Sequence, residues 1–214
     1  RRRHTRFRNV TGVQTCALPI CLQAQGIDLL FAPSVEEMYP QGSATTVAVK
    51  GLGDILEGEK RPGFFTGVAT VVTKLLLQAA PDVGLFGEKD YQQLLVIRRL
   101  ARDLDIPTEI VGGPTVREPD GLALSSRNAY LNAAERAKAP ALNRALVAIA
   151  DAARSGKDIA ATRCVAAATL TSAGFTKVDY LEARDAETLE PLADRKSTRL
   201  NSSHVSESRM PSSA

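Results

Sequence analysis

The stretch Phe86-Gly87-Glu88-Lys89-Asp90-Tyr91-Gln92-Gln93 marks the point where a strand gives way to a helix. The apolar run Val83 to Phe86 is typical of a short buried strand, and Gly87 ends it. A helix is predicted from Asp90, a residue type that favours the N-cap. Its apolar residues recur at helical spacing, at Leu94, Ile97, Leu100, Ala101 and Leu104.

This junction has the chemistry of an anion site. In an open α/β sheet, ligands bind where strands hand over to helices. A helix N-terminus there favours negative charge, and Lys89 adds a full positive charge. Lys89 and Gln93 are one helical turn apart, so both side chains could face one ligand; a solvated helix start is the alternative.

Further strands and helices are predicted on both sides of this junction. Strands are predicted at Ile27–Phe31, Thr45–Val49 and Thr108–Val111, and Ser34 with Glu37 forms a capping-box pattern. A helix starts near Phe64, with its apolar stripe at Val68, Val71, Val72, Leu75, Leu76 and Ala79. Strand, helix and strand at this spacing form a βαβ unit, which predicts a parallel sheet.

The composition changes near residue 120. An Ala-rich helix is predicted over 133–154, opened by the capping pair Asn132 and Glu135, and a second helix over 158–173. A strand is predicted at Val178–Ala183, and Cys164 is expected to be a small buried residue. These elements predict a second, smaller α+β domain, so that the two domains span residues 21–118 and 119–194.

The two ends of the 214-residue chain differ from its middle. Residues 1–20 contain five arginines and no acid, and residues 195–214 have a net charge of +3, so residues 21–194 have −5 against +3 for the whole chain. Both ends lack periodicity and resemble translated cloning sequence, so they are expected to be non-native and disordered; natural disordered tails are the alternative. The net positive charge of the whole chain therefore does not indicate that it binds nucleic acid.

Several function classes are excluded for residues 21–194. Both histidines, His4 and His204, lie in the ends, so histidine triads and histidine–metal sites are not available to the middle. No apolar run is long enough to span a bilayer, since Lys74 interrupts the best candidate. Three cysteines without a CxxC pattern suit a reducing compartment, and a cytoplasmic location is expected.

Three motifs together resemble the pantothenate synthetases, the pantoate–β-alanine ligase family. They are Leu56-Glu57-Gly58-x-x-Arg61-Pro62-Gly63-x-Phe65-x-Gly67-Val68, then Phe86 to Gln93, then Asp120 to Asn128. Ser125 to Asn128 alone would more often be turn chemistry, and Arg61-Pro62 alone a helix start. In this order and spacing the set is specific, and the resemblance covers about residues 21–194.

The resemblance implies a Rossmann-type parallel sheet followed by a smaller α+β domain. It implies that pantoate carboxylate attacks the α-phosphate of ATP, giving pantoyl adenylate and pyrophosphate. The β-alanine amine then attacks the acyl carbon and expels AMP. Mg²⁺ accompanies the ATP, no metal-binding residues are assigned, and the family is usually a homodimer.

The resemblance also implies roles for residues of this sequence. Lys89 and Arg127 would hold the phosphates, with Ser125 and Ser126 donating hydrogen bonds, and Gln93 would contact pantoate. Glu57 and Arg61 belong to a segment that closes over the site. The expected border of the ATP is formed by Gly87, Glu88, Lys89, Asp90, Val116, Leu124, Ser125, Ser126 and Arg127.

The sequence also departs from the family. The family's first strand, with its Met-Gly-x-Leu-His-x-Gly-His segment, and the closing strands of the second domain have no counterpart, and Phe64 stands where the family usually has histidine. The chain is therefore expected to be an inactive internal fragment with an incomplete sheet. Two alternatives remain open: another nucleotidyltransferase of the same superfamily, and a non-catalytic nucleotide-binding pseudoenzyme.

Overall fold

The computed structural model describes residues 22–192, which fall into two units divided between Ser43 and Ala44. The expectations for residues 1–20 and 195–214 lie outside the described residues. In the first unit, residues 22–24 are helical and a short helix α1 spans Val35–Met38. Its capping box is confirmed: the Glu37 N–H donates to Ser34 Oγ at 3.1 Å, and the Ser34 N–H donates to the Glu37 carboxylate at 2.8 Å.

Two of the predicted strands are absent. Residues 27–31 and 45–49 have no ladder partner among the described residues, so neither forms a strand. The Val47 N–H donates instead to the hydroxyl of Thr70, at 2.9 Å. A β-branched run favours extended backbone, but a strand also requires a neighbouring strand that takes its hydrogen bonds.

The second unit contains the predicted βαβ arrangement, which is confirmed. A short helix α2 (Glu57–Lys60) precedes α3 (Phe64–Ala79). Strand β1 (Val83–Gly87) leads through a 3₁₀ turn at Glu88–Asp90 into α4 (Tyr91–Asp103), and β2 (Glu109–Gly113) follows. The two strands are parallel, with Val83 opposite Glu109 and Gly87 opposite Gly113.

The core of this βαβ region lies between α3, α4 and one face of the sheet. Its buried residues come mainly from the two helices, and Phe86 and Ile110 pack against them from the strands. The predicted stripe on α3 is correct at Val72 and Leu76, while Ala79 is exposed and Ala69 is fully buried. The prediction of a buried β1 is wrong on one side, because no described element covers Val83 or Leu85 and these side chains are 48% and 74% exposed.

A separate hydrophobic cluster lies in the C-terminal part. The predicted single helix is divided into α5 (Ala133–Lys138) and α6 (Pro140–Arg154), because Pro140 occupies the first turn of a new helix. Helix α7 spans Ile159–Ser172 and packs on α6. The buried residues of this cluster are Ala141, Ala145, Ile149, Ala166, Leu170, Phe175, Leu181 and Ala183.

Two predictions in this part are wrong. Residues 178–183 form no strand, and the chain there makes only an isolated bridge between Arg184 and Pro191. Cys164 is exposed, because Ala166 and Leu170 define the face of α7 that is buried in the cluster.

The Asn132–Glu135 capping box is confirmed, with both hydrogen bonds at 2.9 Å. The domain boundary at residue 118 stays a prediction.

Candidate functional site

The carboxyl ends of β1 and β2 lie at the same edge of the sheet. Gly87 and Gly113, the last residues of the two strands, are opposite each other in the parallel register. The turn with Lys89 leaves from the first strand and the segment with Val116 leaves from the second. Two of the predicted ATP-binding segments therefore start side by side, at the edge where α/β proteins bind ligands.

The turn at Glu88–Asp90 is shaped by close packing on β2. A Cβ atom placed on Gly112 would lie 3.0 Å from Glu88 Oε1 and 2.9 Å from Leu94 Cδ2, so the side chains of Glu88 and Leu94 would have to shift to admit a larger residue. Lys89 is half-buried in this turn and Asp90 is exposed. Asp90 occupies the N-cap position of α4, as predicted, but its side chain makes no capping hydrogen bond.

The segment after β2 folds back on itself and brings two predicted ATP-binding residues together. The Leu124 N–H donates to the Val116 carbonyl at 2.9 Å, next to an antiparallel bridge between Arg117 and Ala123. Both side chains present apolar surface to solvent, since Val116 is 64% and Leu124 48% exposed. The pair forms a small apolar platform, the kind of surface on which an aromatic base packs.

The tip of this segment is fixed by Asp120, Gly121 and Arg136. Gly121 has a φ of +92°, which favours glycine, and Arg136 Nη1 lies 2.6 Å from Asp120 Oδ2. The hydrogen bond from Arg136, together with the backbone N–H of Leu122, holds the pKa of the Asp120 carboxyl below its ordinary value. The acid therefore stays ionised and keeps its partner throughout the neutral range.

Ser125, Ser126 and Arg127 follow directly on the platform residue Leu124. The Arg127 N–H donates to Ser125 Oγ at 3.2 Å, and residues Ser126–Tyr130 form a 3₁₀ turn. Asn128 fastens the turn through its Nδ2, which donates to the Ala123 carbonyl at 3.0 Å. Ser126 and Arg127 are exposed, and a serine hydroxyl that accepts a hydrogen bond can also donate one.

Glu57 and Arg61 form an ion pair with an N–O distance of 3.0 Å, one helical turn apart. The Arg61 guanidinium carbon also lies 4.0 Å from the centre of the Phe64 ring, within cation–π range. Phe64 thus gives Arg61 an aromatic face to stack on. Glu57 and Arg61, which the sequence assigned to one segment of the site, are in direct contact.

Gln93 is half-buried, whereas its neighbour Gln92 is 5% exposed and makes three hydrogen bonds. The Gln92 Nε2 donates to the carbonyls of Leu52 and Ile55, both at 2.8 Å, and its Oε1 accepts from the Glu57 N–H at 3.3 Å. The sequence motifs assign Gln92 no role. A signal was present, because Gln92 stands at i, i+4 and i+8 spacing with the buried residues Val96 and Leu100.

The loop that Gln92 holds contains a strained residue. Leu56 has φ 51° and ψ −112°, a conformation that costs a non-glycine residue on the order of 1–3 kcal/mol.

A cavity of about 20 Å³ lies beside Leu56 and has room for about one water molecule. Its lining includes Leu56, Tyr91, Gln92, Arg184 and Leu189, and neither Lys89 nor Arg127. Burial here raises the pKa of the Tyr91 hydroxyl.

Within residues 22–192, no group of three or more His, Cys, Asp and Glu side chains is arranged to hold a metal ion. Mg²⁺ that accompanies ATP usually keeps several waters and is held by substrate phosphates and one or two carboxylates. Glu88 and Asp90 are the carboxylates nearest in sequence to Lys89.

Among the helices of residues 22–192, none has both the length and the apolar content needed to cross a bilayer.

Comparison with known proteins gives one consistent result. The family model described as pantoate-beta-alanine ligase matches residues 19–210. A curated relative, "Pantothenate synthetase" of Paramagnetospirillum magneticum, is 62% identical over 170 residues, which are 79% of this chain and 60% of the relative. The chain thus spans about three fifths of the length of such relatives.

Solved structures agree with this result. A pantothenate synthetase from Thermus thermophilus superposes with a TM-score of 0.80 at 52% identity, covering 84% of this chain and 66% of that one. A pantoate-beta-alanine ligase from Francisella tularensis, complexed with "Beta-gamma ATP and Beta-alanine", gives a TM-score of 0.56 at 40% identity over 61% of this chain and 49% of that one. The family match over residues 19–210 includes all three motifs and the βαβ region, and the chain belongs to the pantoate–β-alanine ligase family.

Proposed function

We propose that this chain provides the ATP- and pantoate-binding part of an enzyme that joins pantoate to β-alanine. The observation that carries the proposal is the shared sheet edge, where the Lys89 turn and the Val116–Leu124 segment start next to each other. Family membership supports the reaction, and the strand register supports a nucleotide site between the Lys89 turn and the segment that leads through Val116.

The first proposed step is adenylation. A carboxylate oxygen of pantoate attacks the α-phosphorus of ATP, the bond to the bridging oxygen breaks, and pyrophosphate leaves with the electron pair. Negative charge builds on the phosphate oxygens, so Lys89 and Arg127 are proposed to stabilise it, with Ser125 and Ser126 donating hydrogen bonds. The proposed border of the nucleotide includes Gly87, Glu88 and Asp90, with its base on Val116 and Leu124.

The second proposed step transfers the acyl group. The neutral amine of β-alanine attacks the acyl carbon of pantoyl adenylate, a carbon–nitrogen bond forms, the acyl–oxygen bond to AMP breaks, and the nitrogen releases a proton to solvent. Gln93 is proposed to hold pantoate, and Glu57 with Arg61 to close over the site. No covalent enzyme intermediate is needed, so the chain's task is to bring the reactants together and keep water out, an effect worth roughly 7–11 kcal/mol at its best.

The setting of the enzyme is also a proposal. Mg²⁺ is proposed to enter with ATP, and the complete enzyme to be a cytoplasmic homodimer that binds no nucleic acid. The pantothenate synthetase relatives support the substrates, and the Francisella tularensis complex with ATP and β-alanine supports the nucleotide.

The proposal predicts that single charge removals weaken ATP binding. In Lys89→Ala and Arg127→Ala, the affinity for Mg·ATP should fall by about 10- to 100-fold, because each change removes a charge-assisted hydrogen bond to phosphate. Isothermal titration calorimetry on the 214-residue chain measures this. Arg144→Ala is the matched control, since Arg144 is an exposed arginine on α6.

Pantoate-dependent exchange of labelled pyrophosphate into ATP then separates the alternatives. Exchange that needs both ATP and pantoate supports the ligase chemistry. ATP binding without exchange is the outcome expected both for an inactive fragment of the ligase and for the pseudoenzyme alternative. Exchange with a different nucleotide and without pantoate indicates another nucleotidyltransferase. Equal affinity for ATP in all three variants would refute the assigned phosphate site.

A further inference from the structure

We infer that Gln92 is a positioning residue, whose buried amide fixes the loop of residues 52–57 on the first turn of α4. Through that loop it sets where the Glu57–Arg61 ion pair lies relative to Lys89 and Gln93. We call the hydrogen bonds that join Gln92 to Leu52, Ile55 and Glu57 the clamp. All three lie within the described residues, and their importance for catalysis rests on the proposed function.

The amide of Gln92 matches the groups that it meets. A glutamine side chain has two N–H donors and a carbonyl acceptor, and here both donors reach carbonyls, of Leu52 and Ile55, while the acceptor receives the Glu57 N–H. Because Gln92 is 5% exposed, water does not replace these bonds readily. An apolar residue at this position would remove a hydrogen bond from each of these three polar groups, of which the Ile55 carbonyl would keep the Gly58 N–H.

The clamp acts on both sides of the strained residue. Ile55 and Glu57 flank Leu56, whose positive φ would relax if the loop were released. The loop also makes backbone hydrogen bonds of its own, among them Gly53 N–H to Val49 O and Gly58 N–H to Ile55 O, but each joins residues at most four positions apart, so none of them connects the loop to α4. Strained backbone persists only where its surroundings hold it, and Gln92 supplies that hold from a rigid helix.

The clamp connects two parts of the candidate site. Glu57 is the first residue of α2 and pairs with Arg61, which stacks on Phe64. Gln92 is the direct neighbour of Gln93 in α4. Movement of the loop therefore changes the placement of Arg61 with respect to the residues proposed to bind phosphate and pantoate.

Hydrogen exchange on the 214-residue chain tests the clamp. In Gln92→Leu, exchange at the Glu57 amide and across residues 52–61 should rise about tenfold or more, while α6 and α7 keep their protection. Gln78→Leu is the matched control, because Gln78 is an exposed glutamine on α3 and its replacement should leave the loop unchanged.

Gln92→Glu gives a pH-dependent change in exchange that would be absent if residue 92 only filled space. The ionised carboxylate still accepts from the Glu57 N–H but cannot donate to the two carbonyls, whereas the protonated acid donates one O–H. Burial beside carbonyl oxygens raises the pKa of such an acid, so protection of residues 52–57 should increase as the pH falls from about 8 to about 5. With intrinsic exchange rates corrected, the unmodified chain should show no such change.

The outcomes are distinct. Faster exchange confined to residues 52–61 in Gln92→Leu, together with renewed protection of residues 52–57 in Gln92→Glu at low pH, supports the clamp. The clamp is overturned if exchange becomes faster in all helices alike, if the loop does not change, or if protection in Gln92→Glu does not return at low pH. If Gln92→Leu does not fold, the pH series on Gln92→Glu decides alone. Failure of the unmodified chain to bind ATP would refute the proposed function and leave the exchange result standing.

Discussion

Single residues in the loop before α3 show how tightly its backbone is packed. A Cβ on Gly58 would lie 2.0 Å from the carbonyl oxygen of Gly53, a backbone atom that cannot turn away. A Cβ on Gly67, inside α3, meets nothing within 4 Å. The same motif therefore contains one glycine required by packing and one that packing within this chain does not require.

Alanine substitution at these two glycines should have opposite effects. Gly58→Ala is expected to lower the free energy of unfolding by about 3 kcal/mol, since overpacking against backbone forces the loop to move. Gly67→Ala should raise it by about 0.5–1 kcal/mol, because alanine favours a helix interior. Urea denaturation followed by circular dichroism measures both. A stabilised Gly58→Ala variant would contradict the packing seen in the loop.

Helix α3 contains two buried threonines with different surroundings. Thr70 Oγ1 accepts from the Val47 N–H at 2.9 Å and donates to the Thr66 carbonyl at 2.7 Å. Thr73 Oγ1 is buried and has no hydrogen-bond partner in the described part of the chain. One hydroxyl thus ties the segment before α2 to the helix, and the other is buried without compensation.

Valine, which has nearly the same shape as threonine, should separate these two situations. Thr73→Val is expected to raise the free energy of unfolding by about 1 kcal/mol, because it removes an unsatisfied buried group. Thr70→Val should lower it by about 1–3 kcal/mol, since the Val47 N–H then loses its acceptor. The two variants control for each other in thermal or urea unfolding. Equal effects would show that the hydroxyl contacts do not decide stability here.

The molecule as a whole presents an open face of its two-stranded sheet. Val83 and Leu85 on β1 point away from the core formed by α3 and α4, and β1 and β2 each have one side without a ladder partner in residues 22–192. Exposed apolar strands with free edges pair with other chains. Self-association of the chain is therefore expected to depend on this face.

A lysine at Leu85 should reduce that self-association. Leu85→Lys places a charge on an exposed strand position, which protects edges, and its effect on unfolding should stay within about 0.5 kcal/mol. Sedimentation velocity over a range of concentrations measures the change. Leu77→Lys on α3 is the control, since Leu77 is also well exposed but lies on a helix. An equal reduction in both variants would argue against the strand as the contact.

Local pattern determined much of this protein. The apolar run at 83–86, the helical period after it and the strand at 108–111 predicted a parallel βαβ unit, and both capping boxes formed as their residues indicated. These features depend on contacts within a few residues, where side-chain type is decisive. The three motifs also identified the family, because their order and spacing are properties of the chain itself.

Tertiary structure decided the remainder. The predicted strands at 27–31, 45–49 and 178–183 require a neighbour for their hydrogen bonds, and sequence pattern does not show whether that neighbour is in place. The clamp by Gln92 joins residues 35 to 40 positions apart, so no local period contains it. Long-range partners are fixed only when the chain folds, because burial and hydrogen bonding are then satisfied together.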